Sequence, residues 1–119
     1  MYTSVIALPI DNDLAPFYKP HYTELLFRIQ EIRDRAKIAV LQLLADGQWH
    51  SQIDLMRVAR RTRFIGEVSF GMMMDQMREL LGPDFLACSI DSDNERFFKI
   101  QDNYVGLTRA AYFKYDISA

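Results

Sequence analysis

The chain has 119 residues, with 14 Lys and Arg against 16 Asp and Glu and a formal charge of -2. It therefore lacks the overall basic excess of a generic nucleic-acid binder, and any phosphate contact must come from a local patch. Half of the residues are hydrophobic, enough to give one domain a real core. No apolar run approaches the roughly 20 residues of a membrane span, and the N-terminus lacks the basic start and apolar run of a signal peptide. A cytoplasmic protein without a membrane partner is expected.

Residues 1–22 carry Pro9, Pro16 and Pro20 between an apolar piece (Val5, Ile6, Leu8, Ile10) and an aromatic one (Phe17, Tyr18, Tyr22). That proline spacing forbids a long helix and predicts an extended N-terminal arm, with His21 as a surface or packing residue. From about Thr23 to Asp46 the pattern turns helical, with Leu25, Leu26, Ile29, Ile32, Ala36, Val40, Leu43 and Leu44 on one broad face and Gly47 as the stop. The pairs Glu24/Arg28 and Glu31/Arg35 read as a solvated outer face. Ile38 to Ala45 is apolar nearly all round and must be buried on several sides. A helix of about 23 residues would be about 35 Å long, longer than a small three-helix core covers, so its overhang is a candidate homodimer surface.

Gln48-Trp49-His50 fits a short strand, with Trp49 capping the core and His50 in a structural role. Ser51 then precedes Ile53, Leu55, Met56 and Ala59, with Asp54 placed to complete a capping box, which predicts a helix. A second helix is expected to open at Ser69, before Phe70, Met73, Met74, Met77, Leu80 and Leu81, and to end at Gly82-Pro83. Leu86 to Ile90 and Phe97 to Ile100 alternate in period two around the polar turn Ser92 to Glu95, a β-hairpin with one face on the core. Cys88 reads as a thiol on the buried side of that hairpin, and a single cysteine leaves no internal disulfide. Asp91, Asp93 and Glu95 lack the glycine and distal glutamate of a calcium loop. Finally, Thr108 is placed to cap a short helix from Arg109 to about Asp116.

A long helix, short strand, helix, turn, helix and β-hairpin, in that order, resemble the winged helix-turn-helix domain of archaeal and bacterial transcription regulators. GQWHSQIDL before the first motif helix and Tyr104-Val105-Gly106-Leu107-Thr108 after the hairpin add to the likeness; the latter is similar to the Y-x-L-T-x-x-G ending common in those proteins, with one extra residue. The fold class so implied is mainly α with a small β-hairpin: a long first helix, a three-helix core, a two- to three-stranded wing and a short C-terminal helix, over 23–119. The resemblance implies that the helix from Ser69 enters the major groove of double-stranded DNA while the wing touches phosphate or the minor groove.

Arg57, Arg60, Arg61 and Arg63 form a dense basic cluster suited to phosphates. Ser69, Gln76 and Arg78 carry groups that hydrogen-bond to bases or backbone, and Arg96 and Lys99 lie on the wing. Against these stand Met72, Asp75 and Glu79 on the outward side of the second helix and the acids of the wing tip, which repel phosphate. Two readings follow: a homodimeric DNA-binding regulator, or a winged-helix module that binds other proteins, for which an exposed methionine is apt. No enzyme, cofactor or metal site is expected, because two histidines and one cysteine assemble no catalytic or ligating constellation.

Overall fold

The computed structural model describes residues 20–112, with side chains from Tyr22 onward. All of the expected arm but its last three residues lies outside that range, as do His21's side chain and the end of the expected C-terminal helix. Within it the chain is mainly helical with a small antiparallel sheet: α1 (Pro20–Glu31), α2 (Arg35–Leu44), β1 (His50–Ser51), α3 (Gln52–Ala59), α4 (Glu67–Leu81), β2 (Leu86–Ile90), β3 (Arg96–Ile100) and α5 (Asp102–Tyr112). This architecture is compatible with a winged helix.

The single long helix expected over 23–46 is two helices. Pro20 opens α1, a first-turn position where its missing N–H costs nothing. The break falls at Asp34, which has extended backbone angles and whose carboxylate accepts the Ala36 N–H at 3.0 Å, capping α2 instead of continuing α1. Arg63, from the far side of α3, donates to the same carboxylate at 2.6 Å and holds it there. α1 lies against α4 and α5: the Tyr112 hydroxyl donates to the Ile29 carbonyl at 3.2 Å, and the rings of Tyr22 and Tyr104 meet at 5.1 Å.

α2 buries Ala36, Val40, Leu41 and Leu44, as its all-round apolar sequence requires, and packs on α3 and α5. The chain leaves it through Gly47 at φ +75°, where an added Cβ would stand 3.2 Å from Val105 Cγ2. β1 pairs with β3 (His50 with Phe98, Ser51 with Phe97), and β3 pairs with β2 from Leu86/Ile100 to Ile90/Arg96, giving the order β1-β3-β2. Trp49 does not cap the core: the strand starts only at His50, and the indole is 48 % exposed with the Lys99 ammonium 5.8 Å above it. His50 pairs with Asp46 at 2.9 Å.

Ser51 caps α3 as expected, accepting the Asp54 N–H at 3.1 Å. Ser69 does not cap α4. The helix begins at Glu67 after Gly66, because the buried Ile65 anchors the turn and the Gly66 carbonyl already accepts the Phe70 N–H. Ser69 is thus an exposed third residue of the helix. α4 ends as read, with Gly82 at φ +97° and ψ 149°. Phe70, Met74 and Met77 on its inner face meet Leu41, Leu44, Leu55, Phe85, Leu86 and Phe98 in one core. Cys88 is half-buried against that core.

α5 also begins earlier than expected, at Asp102. Thr108 is buried within it, its hydroxyl donating to the Tyr104 carbonyl one turn back. Burial of Tyr104 and Leu107 outweighs the roughly 1 kcal/mol that Gly106 costs inside a helix.

Candidate interaction surface

Helix α4 is amphipathic, and its outer side follows from its start. With Phe70, Met73, Met74, Met77 and Leu81 inward, the opposite face carries Val68, Met72 and Glu79, flanked by Glu67 and Asp75 on one side and by Ser69, Gln76 and Leu80 on the other. Residues four apart form the ridges by which helices pack on one another. One such row is exposed on α4: Val68 (76 % exposed), Met72 (57 %), Gln76 and Leu80 (46 %), and Phe64 in the preceding turn is exposed as well (80 %). Three of the row's four members are large and apolar.

The two flanks differ in charge. On the side of the hairpin, Gln52, Ile53, Met56, Glu67, Asp93, Glu95 and Arg96 line a shallow groove of about 340 Å³, in which three carboxylates outnumber one guanidinium. On the side of the α1–α2 elbow, Asp34, Lys37, Arg63, Ser69, Met72 and Gln76 line a groove of about 290 Å³. It shares Asp34 and Lys37 with a second groove of about 310 Å³ that runs on to Arg28, Glu31, Arg33 and Leu80. Arginine and lysine outnumber acids along this edge. Asp34 stays ionised there: its partial burial pushes its pKa up, but the Arg63 hydrogen bond, the Ala36 N–H and the positive charges of Arg63 and Lys37 outweigh that and hold it below the ordinary carboxylate value.

Most of the cations expected to meet DNA are engaged within the fold. Arg78 donates through Nε to the Leu86 carbonyl at 2.9 Å. Arg96 lies across α3 and α4, donating to Gln52 Oε1 at 2.8 Å, Asp75 Oδ1 at 2.8 Å and the Gly71 carbonyl at 3.2 Å. Lys99 pairs with Asp102 at 3.4 Å, and Arg63 with Asp34. Arg60 donates to the Ile65 carbonyl at 2.9 Å and stacks over Phe64, and Arg57 pairs with Asp54 at 2.9 Å on an exposed surface. Arg61 is exposed, and its guanidinium has no polar partner among the described residues. Of the polar positions on α4, Ser69 and Gln76 face solvent beside Lys37.

Of the acids of the hairpin turn, Asp91 is internally used: its Oδ1 accepts the N–H groups of Asp93 and Glu95, both at 2.9 Å, around Asn94 at φ +64°. Among the described residues no group of three or more His, Cys, Asp or Glu is placed to hold a metal ion, and no helix is long and apolar enough to cross a membrane.

Phe64, Val68 and Lys37 were not among the residues singled out from sequence. The four-residue row was visible once α4 is started at Glu67 and not at Ser69; Lys37 joins it only through the elbow at Asp34. Comparison with protein-family models, with curated proteins and with solved structures finds no match to this chain.

Proposed function

We propose that the chain is a winged helix that binds other proteins through the outer face of α4 and the turn before it. The observation that supports this is the exposed row Val68, Met72 and Leu80, with Phe64 exposed in the turn before it. Exposed apolar side chains aligned on one helix face and rimmed by charge have the composition of a docking surface, while scattered single apolar residues do not. A helix that reads DNA needs cations and amide groups on that ridge. Here it presents Val68, Met72 and Glu79, with Arg78 turned back onto the sheet.

The second reading is a DNA-binding transcription regulator, and one observation favours it: Arg57, Arg60 and Arg61 are exposed together at the end of α3, with the Arg61 guanidinium unengaged among the described residues. In that reading they clamp phosphates while Ser69 and Gln76 approach the bases. Fluorescence anisotropy of a labelled mixed-sequence duplex separates the two. Protein docking predicts no saturable binding at about 50 mM salt. Binding that falls a hundredfold or more by about 200 mM, as several phosphate contacts require, and that Arg60→Ala with Arg61→Ala weakens, would overturn the protein-docking reading.

A further inference from the structure

We infer that the occupant of the α4 ridge is a second copy of this chain, related by a two-fold axis running along α4; the inference rests on the protein-docking reading above. An isologous interface must be self-complementary, each patch meeting its own image. The apolar row satisfies this trivially, since Val68 and Met72 pack on their own images. The charges on either side decide the direction of the axis. The hairpin side of the ridge is acidic, with Glu67, Asp93 and Glu95 against Arg96, and the elbow side has a smaller cationic excess, with Lys37 and Arg33 against Glu31 beside the paired Arg63 and Asp34.

A two-fold axis across the helix would lay acidic side on acidic side. An axis along the helix brings the acidic side of one copy over the cationic side of the other, twice. Opposite charge then frames the apolar contact on both edges, the arrangement that fixes register and rejects wrong partners. The same contact covers Ser69 and Gln76. A dimer of this kind and a duplex held by α4 therefore exclude each other.

The test is sedimentation velocity of the full chain from about 1 to 100 µM at low salt, with four variants whose side chains lie on the surface. Wild type sediments as a concentration-dependent dimer. Val68→Asp and Met72→Asp each raise the dimer dissociation constant at least tenfold, while circular dichroism melting reports an unchanged fold. Glu67→Lys and Lys37→Glu each dimerise more weakly alone, because like charges then face each other on both edges. Mixed one to one they restore the wild-type constant, because each supplies the charge the other lacks.

A monomer throughout the range overturns the inference, as does a dimer indifferent to Val68→Asp and Met72→Asp. Failure of the mixture to restore association overturns the two-fold arrangement even if the apolar variants behave as stated. The DNA titration is read independently: a monomer that ignores DNA removes the self-association and leaves protein docking standing, whereas salt-sensitive duplex binding removes both.

Discussion

Replacing Arg96 by Met tests whether this residue is a pin of the fold or a cation available to a ligand. Methionine keeps an apolar stem beside Phe98, whose ring lies 5.2 Å from the guanidinium carbon, so the change removes mainly the three polar contacts. The pair with Asp75 is largely solvated, since the carboxylate side chain is 61 % exposed, and contributes only about 0.5 kcal/mol. The bonds to Gln52 and to the Gly71 carbonyl are only partly buried, and solvent screening of the guanidinium holds them to about 1 kcal/mol each. The expected loss is about 2–3 kcal/mol, which lowers Tm by roughly 10 °C in a domain of this size. Urea titration followed by circular dichroism measures it as a lower midpoint at an unchanged slope. Arg96→Lys keeps the charge but not the fork and should fall between the two. A loss below about 0.5 kcal/mol, within the range of ordinary surface changes, would refute the pin and return Arg96 to the list of ligand contacts.

Gly82→Ala should cost about 1–3 kcal/mol in the same titration: nothing lies within 4 Å of the added Cβ, but φ +97° with ψ 149° is a region essentially reserved for glycine; an unchanged midpoint would mean that α4 ends differently. Asp34 has a folded pKa below its unfolded one, so its contribution is present above the ordinary carboxylate value and fades as pH falls through the folded value. The urea-midpoint gap between wild type and Asp34→Asn should therefore shrink from pH 7 to pH 3, and a constant gap would contradict the Arg63 pairing. Burial pushes the Tyr112 phenol above its ordinary pKa. The unfolded chain then loses that proton first, and stability falls as pH rises past about 10. Tyr112→Phe should remove part of that alkaline loss while costing about 1 kcal/mol at pH 7 through the bond to Ile29.

What was legible in the sequence is what neighbouring residues decide among themselves. Ser51 with Asp54 marked the start of α3, Gly82-Pro83 the end of α4, and the alternation around Ser92 to Glu95 the hairpin. The misplaced boundaries share a different cause. Asp34 can sit inside a helix or cap one, and Arg63, 29 residues away, tips it to the cap. Gly66 outcompetes Ser69 because Ile65 must reach the core. α5 runs through Gly106 because Tyr104 and Leu107 are buried against other elements. In each case a tertiary partner settled a choice that local preference left nearly even.

The arginines were the least legible feature, because sequence records a charge but not its direction. Arg28, Arg60, Arg78, Arg96 and Arg109 each donate to a main-chain carbonyl, of Leu80, Ile65, Leu86, Gly71 and Ala45 respectively. Two of these acceptors, Leu80 in the last turn of α4 and Ala45 at the C-cap of α2, belong to helix ends, where carbonyls lack an intrahelical partner. A small domain of short helices has many such ends relative to its core, and a planar guanidinium on a long stem is suited to reaching them. Arginine content here is therefore first a measure of how many elements are stitched together. Only the side chains left over, Arg61 and Arg33 at the surface among them, count toward a ligand. By that measure the outer face of α4 has apolar area to offer and little positive charge, the basis on which we propose another protein surface for it ahead of a phosphate backbone.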